Sequence, residues 1–164
     1  MTNFTPQNSY PDDTGRRQLF QLCGTPEPVI AHGQAVARCA AELAQQLSFP
    51  VDAQLLAAAC LLHDLTRGTP EHPRSGAQVL AQAGYPALAE VVAVHHDLPA
   101  EAGAEACLLY LADKLVQGER RVSLEERFLA SREKCRTPEA LAAWQQRYDR
   151  THQIIQDFHL ILPD

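Results

Sequence analysis

Five of the seven histidines of this chain, His32, His63, His72, His95 and His96, fall between positions 32 and 96, each on or beside the apolar stripe of a helix-like segment. Asp64 and Asp113 occupy similar positions. An imidazole or carboxylate taken out of water without a partner is costly or changes its protonation state. Seven such groups facing one interior therefore need a common partner, and a bound cation would supply it. The fold must then bring several separate helices to one point.

The hydrophobic periodicity supplies those helices. Val29, His32, Val36, Ala40, Leu43 and Leu47 recur at steps of three and four, which predicts a helix from about Pro26 or Pro28 to Leu47 with His32 on its inner side. Asp52 can cap a second helix through QLLAAACLLHDL, where Leu56, Cys60 and His63 share a face. Adjacent residues such as His63 and Asp64 stand about 100° apart around a helix, yet in a frayed last turn both can aim at one ion. A third segment, from about Glu71 to Ala83, carries His72, Gly76, Val79, Leu80 and Ala83 on one stripe. Gly84-Tyr85-Pro86 reads as a turn, after which Leu88, Val91, Val92 and His95 line a fourth helix that ends at the two adjacent histidines.

Beyond a loop over Pro99 to Gly103, ACLLYLADKLV is apolar nearly all round, as in a helix packed on several sides, with Asp113 sharing a face with Leu109 and Val116. The charges between Lys114 and Arg136 alternate in sign and read as a solvated helix face. After Thr137-Pro138 a long helix carries Leu141, Trp144, Tyr148, Ile155 and Phe158, which read as packing residues or a homodimer contact, and His152 and His159 have no ligand-like companion. Residues 1–15 are polar and aperiodic and read as a tail ahead of a short helix in RRQLFQLC. The expectation is one all-α domain over residues 16–164, a helical bundle with a motif core at 26–117 and C-terminal helices over 122–161.

Composition narrows the partners. The formal net charge of −6 argues against extended binding to a nucleic-acid polymer, which depends on Lys and Arg neutralising phosphates, but leaves room for a small phosphorylated ligand. Five widely spaced cysteines with no C-x-x-C pair suggest neither a disulfide framework nor a thiolate zinc site, and read as small core residues in a reducing compartment. The polar start of the chain carries no apolar run suited to a signal peptide or membrane span, so a soluble cytoplasmic protein with no membrane partner is expected. Imidazoles and carboxylates without thiolates suit one or two ions of Fe, Mn, Co, Ni or Zn, and the donor set does not choose among them.

The segments PVIAHGQAVARCAAELA, AAACLLHDLTRG and LLYLADKLV present a His, then a His-Asp pair, then a distant Asp. In this order and helical context the chain resembles the HD-domain superfamily of metal-dependent phosphohydrolases over roughly residues 26 to 117. The resemblance implies that His32, His63, Asp64 and Asp113 hold a first metal ion. Some branches bind a second ion, and His72, His95 and His96 occupy the matching places, with Asp64 as the bridging carboxylate and catalytic centre. Two cations about 3.5 to 4 Å apart can hold a hydroxide nucleophile and neutralise the charge developing on a phosphoryl group. Phosphoester or phosphoanhydride hydrolysis on a nucleotide or other small phosphorylated metabolite is the implied activity.

Departures from relatives shape the substrate. The cyclic-dinucleotide branch carries Gly-Tyr-Pro after its paired histidines, whereas Gly84-Tyr85-Pro86 precedes them here; the guanosine-tetraphosphate branch follows its HD pair with Glu-Asp, replaced here by Leu-Thr-Arg-Gly. The set His, HD, His, His, Asp is closer to the diadenosine-tetraphosphate hydrolases. The RRVSLEERF segment looks similar to HD domains fused to, or encoded beside, nucleotidyltransferases, which implies such a partner. Arg67, Arg74 and Lys114 stand near ligand positions in sequence and are candidates for holding substrate phosphate. Two other readings of the same residues are a di-iron oxygenase and a metal- or nucleotide-binding regulatory module without turnover.

Overall fold

The computed structural model describes residues 10–163. Among them the chain folds into eight helices and one two-stranded hairpin: α1 (Asp13–Cys23), α2 (Glu27–Ala44), α3 (Ala53–Leu62), α4 (His72–Gln82), α5 (Pro86–Ala93), α6 (Ala104–Lys114), β1 (Val116–Gln117), β2 (Arg120–Arg121), α7 (Leu124–Arg132) and α8 (Pro138–Asp157). The fold is all-α, as the periodicity predicts.

Helix α6 is the axis of the core. Its residues Ala106 to Ala112 are all buried, which is the structural meaning of a segment apolar on every side. Helix α2 lays Ala35, Val36, Cys39, Ala40 and Leu43 against α3 and α6, and α3 returns Leu56, Ala59, Cys60 and Leu62. Helices α4 and α5 form an antiparallel pair closed by Gly84, whose φ of 96° explains a glycine before Tyr85-Pro86.

The helix ends are chemically specified. Asp52 accepts the Leu55 N–H at 3.0 Å, as its sequence position suggests, and Ser123 and Thr137 likewise act as N-caps, accepting the Glu126 and Ala140 N–H each at 3.1 Å. Proline occupies the first turn of α2, α4, α5 and α8, where its missing N–H is harmless.

Three expectations need correction. Helix α1 begins at Asp13 and is capped by Asp12, Pro11 is buried, and the Tyr10 hydroxyl donates to Asp52 at 2.6 Å. Residues 10–15 therefore belong to the fold, because a cap and a long-range hydrogen bond outweigh a polar, aperiodic composition; positions 1–9 of the expected tail lie outside the described residues. Helix α2 stops at Ala44, not Leu47. The stretch read as a solvated helix face is broken by the hairpin, in which Val116 pairs with Arg121 and Gln117 with Arg120 around Gly118, at φ 61°.

Candidate metal centre

The site forms where helices stop. His63 is the C-cap of α3 and Asp64 follows it; His72 is the first residue of α4; His95 and His96 lie just beyond α5; Asp113 is the penultimate residue of α6; His32 alone sits inside a helix, α2. The close approach of α2 to the end of α3 depends on Gly33, where a Cβ would meet the Leu61 carbonyl oxygen at 2.8 Å. The chain between α3 and α4 is fastened by hydroxyls: Thr66 donates to the His72 carbonyl at 3.0 Å and lies 2.7 Å from the Ser75 hydroxyl. Glu71 adopts φ 53° immediately before His72, a left-handed turn that aims α4 at the cluster.

All seven residues converge. The rings of His32, His63, His95 and His96 follow one another at centroid distances of 5.4, 5.1 and 4.5 Å, and His72 lies 4.6 Å from His96. Two groups could hold an ion: His32, His63 and Asp113, and Asp64, His72, His95 and His96, the donor atoms of each group lying within 4.8 Å of one another. Asp64 serves both. Its Oδ2 lies 3.5 Å from His63 Nε2 and 4.0 Å from His32 Nε2, while its Oδ1 lies 3.1 Å from His72 Nε2 and 3.5 Å from His95 Nε2.

The imidazole tautomers are fixed from outside. His32 Nδ1 donates to the Gly118 carbonyl, His63 Nδ1 to that of Cys60 and His95 Nδ1 to that of Val92, each at 2.7 Å. A carbonyl only accepts, so in each ring the Nδ1 carries hydrogen and the neutral form turns the lone pair of Nε2 inward. His32 Nε2 and Asp113 Oδ1 then face each other at 3.0 Å, and His63 Nε2 and the same oxygen at 3.3 Å, as pairs of acceptors. Among the described residues the buried Nε2 atoms of His63, His72 and His95 have no hydrogen-bond partner. Acceptors packed so closely repel unless a proton or a cation stands between them, and these residues fit a metal ion.

The electrostatics agree. Burial alone would hold His63 neutral, but the Asp113 carboxylate beside it prevails and lifts the imidazole to about 9. Burial likewise opposes the charge on Asp113 and Asp64; the imidazoles around them win and keep both carboxyls well below the usual carboxylate range.

A family model, HD domain, matches residues 29–117 of this arrangement. The chain belongs to the HD domain family. The matched HD segment contains all seven His and Asp residues and ends one position before Gly118, whose carbonyl orients His32. HD domains are in general metal-dependent phosphohydrolases that bind divalent cations, and the His–Asp cluster is the corresponding feature here. Comparisons with curated proteins and with solved structures give no match.

The three basic residues singled out in the sequence part ways. Arg67 donates to Asp64 Oδ2 at 2.9 Å and lines a cavity of about 500 Å³ over the cluster, together with His32, Asp64, His72, His96 and Asp113. Lys114 lines an adjoining cavity of about 360 Å³; burial pushes its amine down to about 8 against the opposing pull of Asp113, and its Nζ sits 3.3 Å from the Tyr110 ring centroid. Arg74 is exposed, pairs with the exposed Glu71 at 3.6 Å and borders neither cavity. Arg127, Ser131 and Lys134 of α7 and its following turn line both cavities. Nothing in their local sequence distinguished them from a solvated face. His152 and His159 lie on the exposed side of the C-terminal segment, outside both donor groups.

Proposed function

We propose that the chain is a metal-dependent phosphohydrolase that cleaves a phosphoester or phosphoanhydride bond of a nucleotide or another small phosphorylated metabolite. The observation that carries the reading is the Asp64 carboxylate, one oxygen turned to the His32, His63 and Asp113 group and the other to His72 and His95. Such a bridge is the device for holding two cations at once, and HD domains bind divalent metals. A bound pair of divalent ions supplies Lewis acidity, which activates water and neutralises charge on a phosphoryl group.

The residues of the chain do the rest. His32, His63 and Asp113 with Asp64 Oδ2 form one ligand set, and His72, His95 and His96 with Asp64 Oδ1 the other. The Gly118, Cys60 and Val92 carbonyls hold three of the imidazoles in the ligating tautomer. Arg67, reaching over Asp64 from a mostly exposed position, and Lys114, beside Asp113, are placed to hold phosphate oxygens. The open cavity over the cluster admits a small substrate and water.

Metal analysis of the purified protein, followed by assay with Mn, Fe, Co, Ni or Zn against a panel of nucleotides, dinucleotides and simple phosphate esters, tests this. Turnover that disappears in Asp64→Asn and His63→Ala is the expected result. Metal uptake by wild type with no turnover of any phosphate compound would overturn the hydrolase reading.

A further inference from the structure

Helix α7 presents a charged row to the candidate site that lies outside the matched HD segment. Arg127, Ser131 and Lys134 follow at steps of four and three, so they share one face, and all three line both the cavity over the cluster and the adjoining one. At helical rise the seven steps from Arg127 to Lys134 span about 10 Å. Among the described residues the Arg127 side chain donates only to the Val116 carbonyl, at 3.3 Å. Among the described residues neither Arg127 nor Lys134 has a carboxylate within 4.0 Å, whereas Arg120, Arg121 and Arg147 pair with Glu126, Glu42 and Asp97.

In a chain with 20 acidic and 14 basic residues, cations readily find acidic neighbours. Two that face a cavity without one are free to meet an anion from outside. Lys114, the other cation bordering the second cavity without a carboxylate within 4.0 Å among the described residues, lies beside Asp113 at the cluster end, which leaves Arg127 and Lys134 for the part of a ligand beyond it. A single phosphate held at the His–Asp cluster cannot also reach both ends of a row of this length.

We infer that Arg127 and Lys134, spaced by Ser131, form a recognition row for a linear run of phosphates, so that the substrate carries at least two linked phosphate groups rather than an isolated phosphomonoester. The inference rests on the reading of the cluster as a metal centre that faces phosphate. One phosphate sits at the metals beside Arg67, and the chain continues along α7. There the Arg127 fork and the Lys134 point charge contact successive oxygens, while the Ser131 hydroxyl, which donates to the Phe128 carbonyl at 3.0 Å, forms the wall between them. The remaining, organic end enters the second cavity, walled by Phe128, Ala140, Ala143 and Trp144. The Trp144 N–H is already donated to the Phe128 carbonyl at 2.9 Å and lies 3.1 Å from Ser131 Oγ, so that wall selects by shape rather than by hydrogen bonding.

Calorimetric titration of the protein as purified, with inorganic tripolyphosphate and with orthophosphate, each presaturated with magnesium to prevent stripping of metal, tests the row. Tripolyphosphate is expected to bind at least about tenfold more tightly, and Arg127→Gln with Lys134→Gln together to weaken it roughly tenfold per cation removed. Orthophosphate binding stays near wild type in both variants. Lys134 is exposed, so Lys134→Gln alone separates lost charge from lost folding, and Arg127→Lys should retain most of the affinity. Equal binding of the two anions, or wild-type tripolyphosphate binding by the folded double variant, would overturn the row. Tripolyphosphate binding that depends on Arg127 and Lys134 in a protein without turnover would discard the hydrolase reading and leave the row standing.

Discussion

Gly33→Ala is a demanding test of how the site is built, because it adds one methyl group between two of the three helices that carry the first candidate ligand set, those of His32 and of His63 and Asp64. A Cβ at this position would lie 2.8 Å from the Leu61 carbonyl oxygen and 3.2 Å from that of Cys60, whereas ordinary contact begins at 3.4 Å. Both obstacles are backbone, so α2 and the end of α3 must separate by about 0.6 Å, the difference between 3.4 and 2.8 Å. Alanine gains about 1 kcal/mol over glycine in a helix interior, and overpacking costs about 1–3 kcal/mol. The net effect on folding thus runs from neutral to a loss of about 2 kcal/mol, or at most about 8 °C in Tm for a chain of this size.

The effect on metal should be larger. His32 rides on α2, His63 and Asp64 on the end of α3, and metal–ligand distances tolerate only about ±0.2 Å. The Cys60 carbonyl under strain is also the one that orients His63. Metal affinity should fall by about tenfold or more, the scale of losses seen when an orienting group is disturbed. Titration with a buffered metal, together with thermal unfolding of the metal-stripped protein, separates the two effects, and the exposed neighbour Gln34→Ala serves as control. A Gly33→Ala variant that binds metal as wild type does and melts no lower would refute the role given to this contact.

Other consequences follow from the same geometry. Asp113→Asn should empty the His32–His63 half and His72→Ala the other, so metal analysis should find each variant keeping one ion; loss of all metal in both would show that the halves are not separate. In metal-stripped protein the raised His63 contributes stability that is full below about 6.5 and lost as pH rises through about 9, while the depressed Asp64 and Asp113 contribute stability that is lost as pH falls below the usual carboxylate range. Unfolding midpoints should therefore decline from pH 6.5 to 9 without metal, and metal affinity should rise over that interval as His63 gives up its proton; a flat profile would contradict both. Trp144→Phe removes an N–H donated to the Phe128 carbonyl and should cost about 1 kcal/mol, read as a fall of about 2–4 °C in Tm.

The residues that carry the site were legible because each was out of place. A histidine on an apolar stripe, such as His32 beside Val36 and Ala40, conflicts with burial until it is given a partner. The His63-Asp64 pair at a helix stop, and Asp113 in a segment otherwise apolar, pose the same conflict. The α7 row carried no such signal. Arg127, Ser131 and Lys134 lie among glutamates at helical spacing, where sequence alone reads surface ion pairs. Only the hairpin at 116–121, two residues per strand and without any alternating apolar run, turns α7 so that this face meets the cluster. Short strands set by a glycine turn leave almost no periodic trace. The start of α1 was missed for a related reason: its evidence is a cap at Asp12 and a distant partner for Tyr10, not a stripe.

The placement of the ligands at helix ends has a physical reason. The last carbonyls of a helix lack intrahelical partners and carry partial negative charge. His63 and His95 each stand three residues beyond a last-turn carbonyl, Cys60 and Val92, and donate Nδ1–H to it at 2.7 Å; the Val92 carbonyl also takes the His95 backbone N–H at 3.4 Å. One bond caps the helix, fixes the tautomer and turns the Nε2 lone pair toward the centre, where the nearby negative helix ends favour a cation. A longer α3 would spend the Cys60 carbonyl on its own backbone and leave His63 free to rotate. The end of α3 at Leu62, just before the HD pair, is therefore part of how the site is built: it lets His63 present a ligating nitrogen as a candidate ligand rather than a freely rotating imidazole.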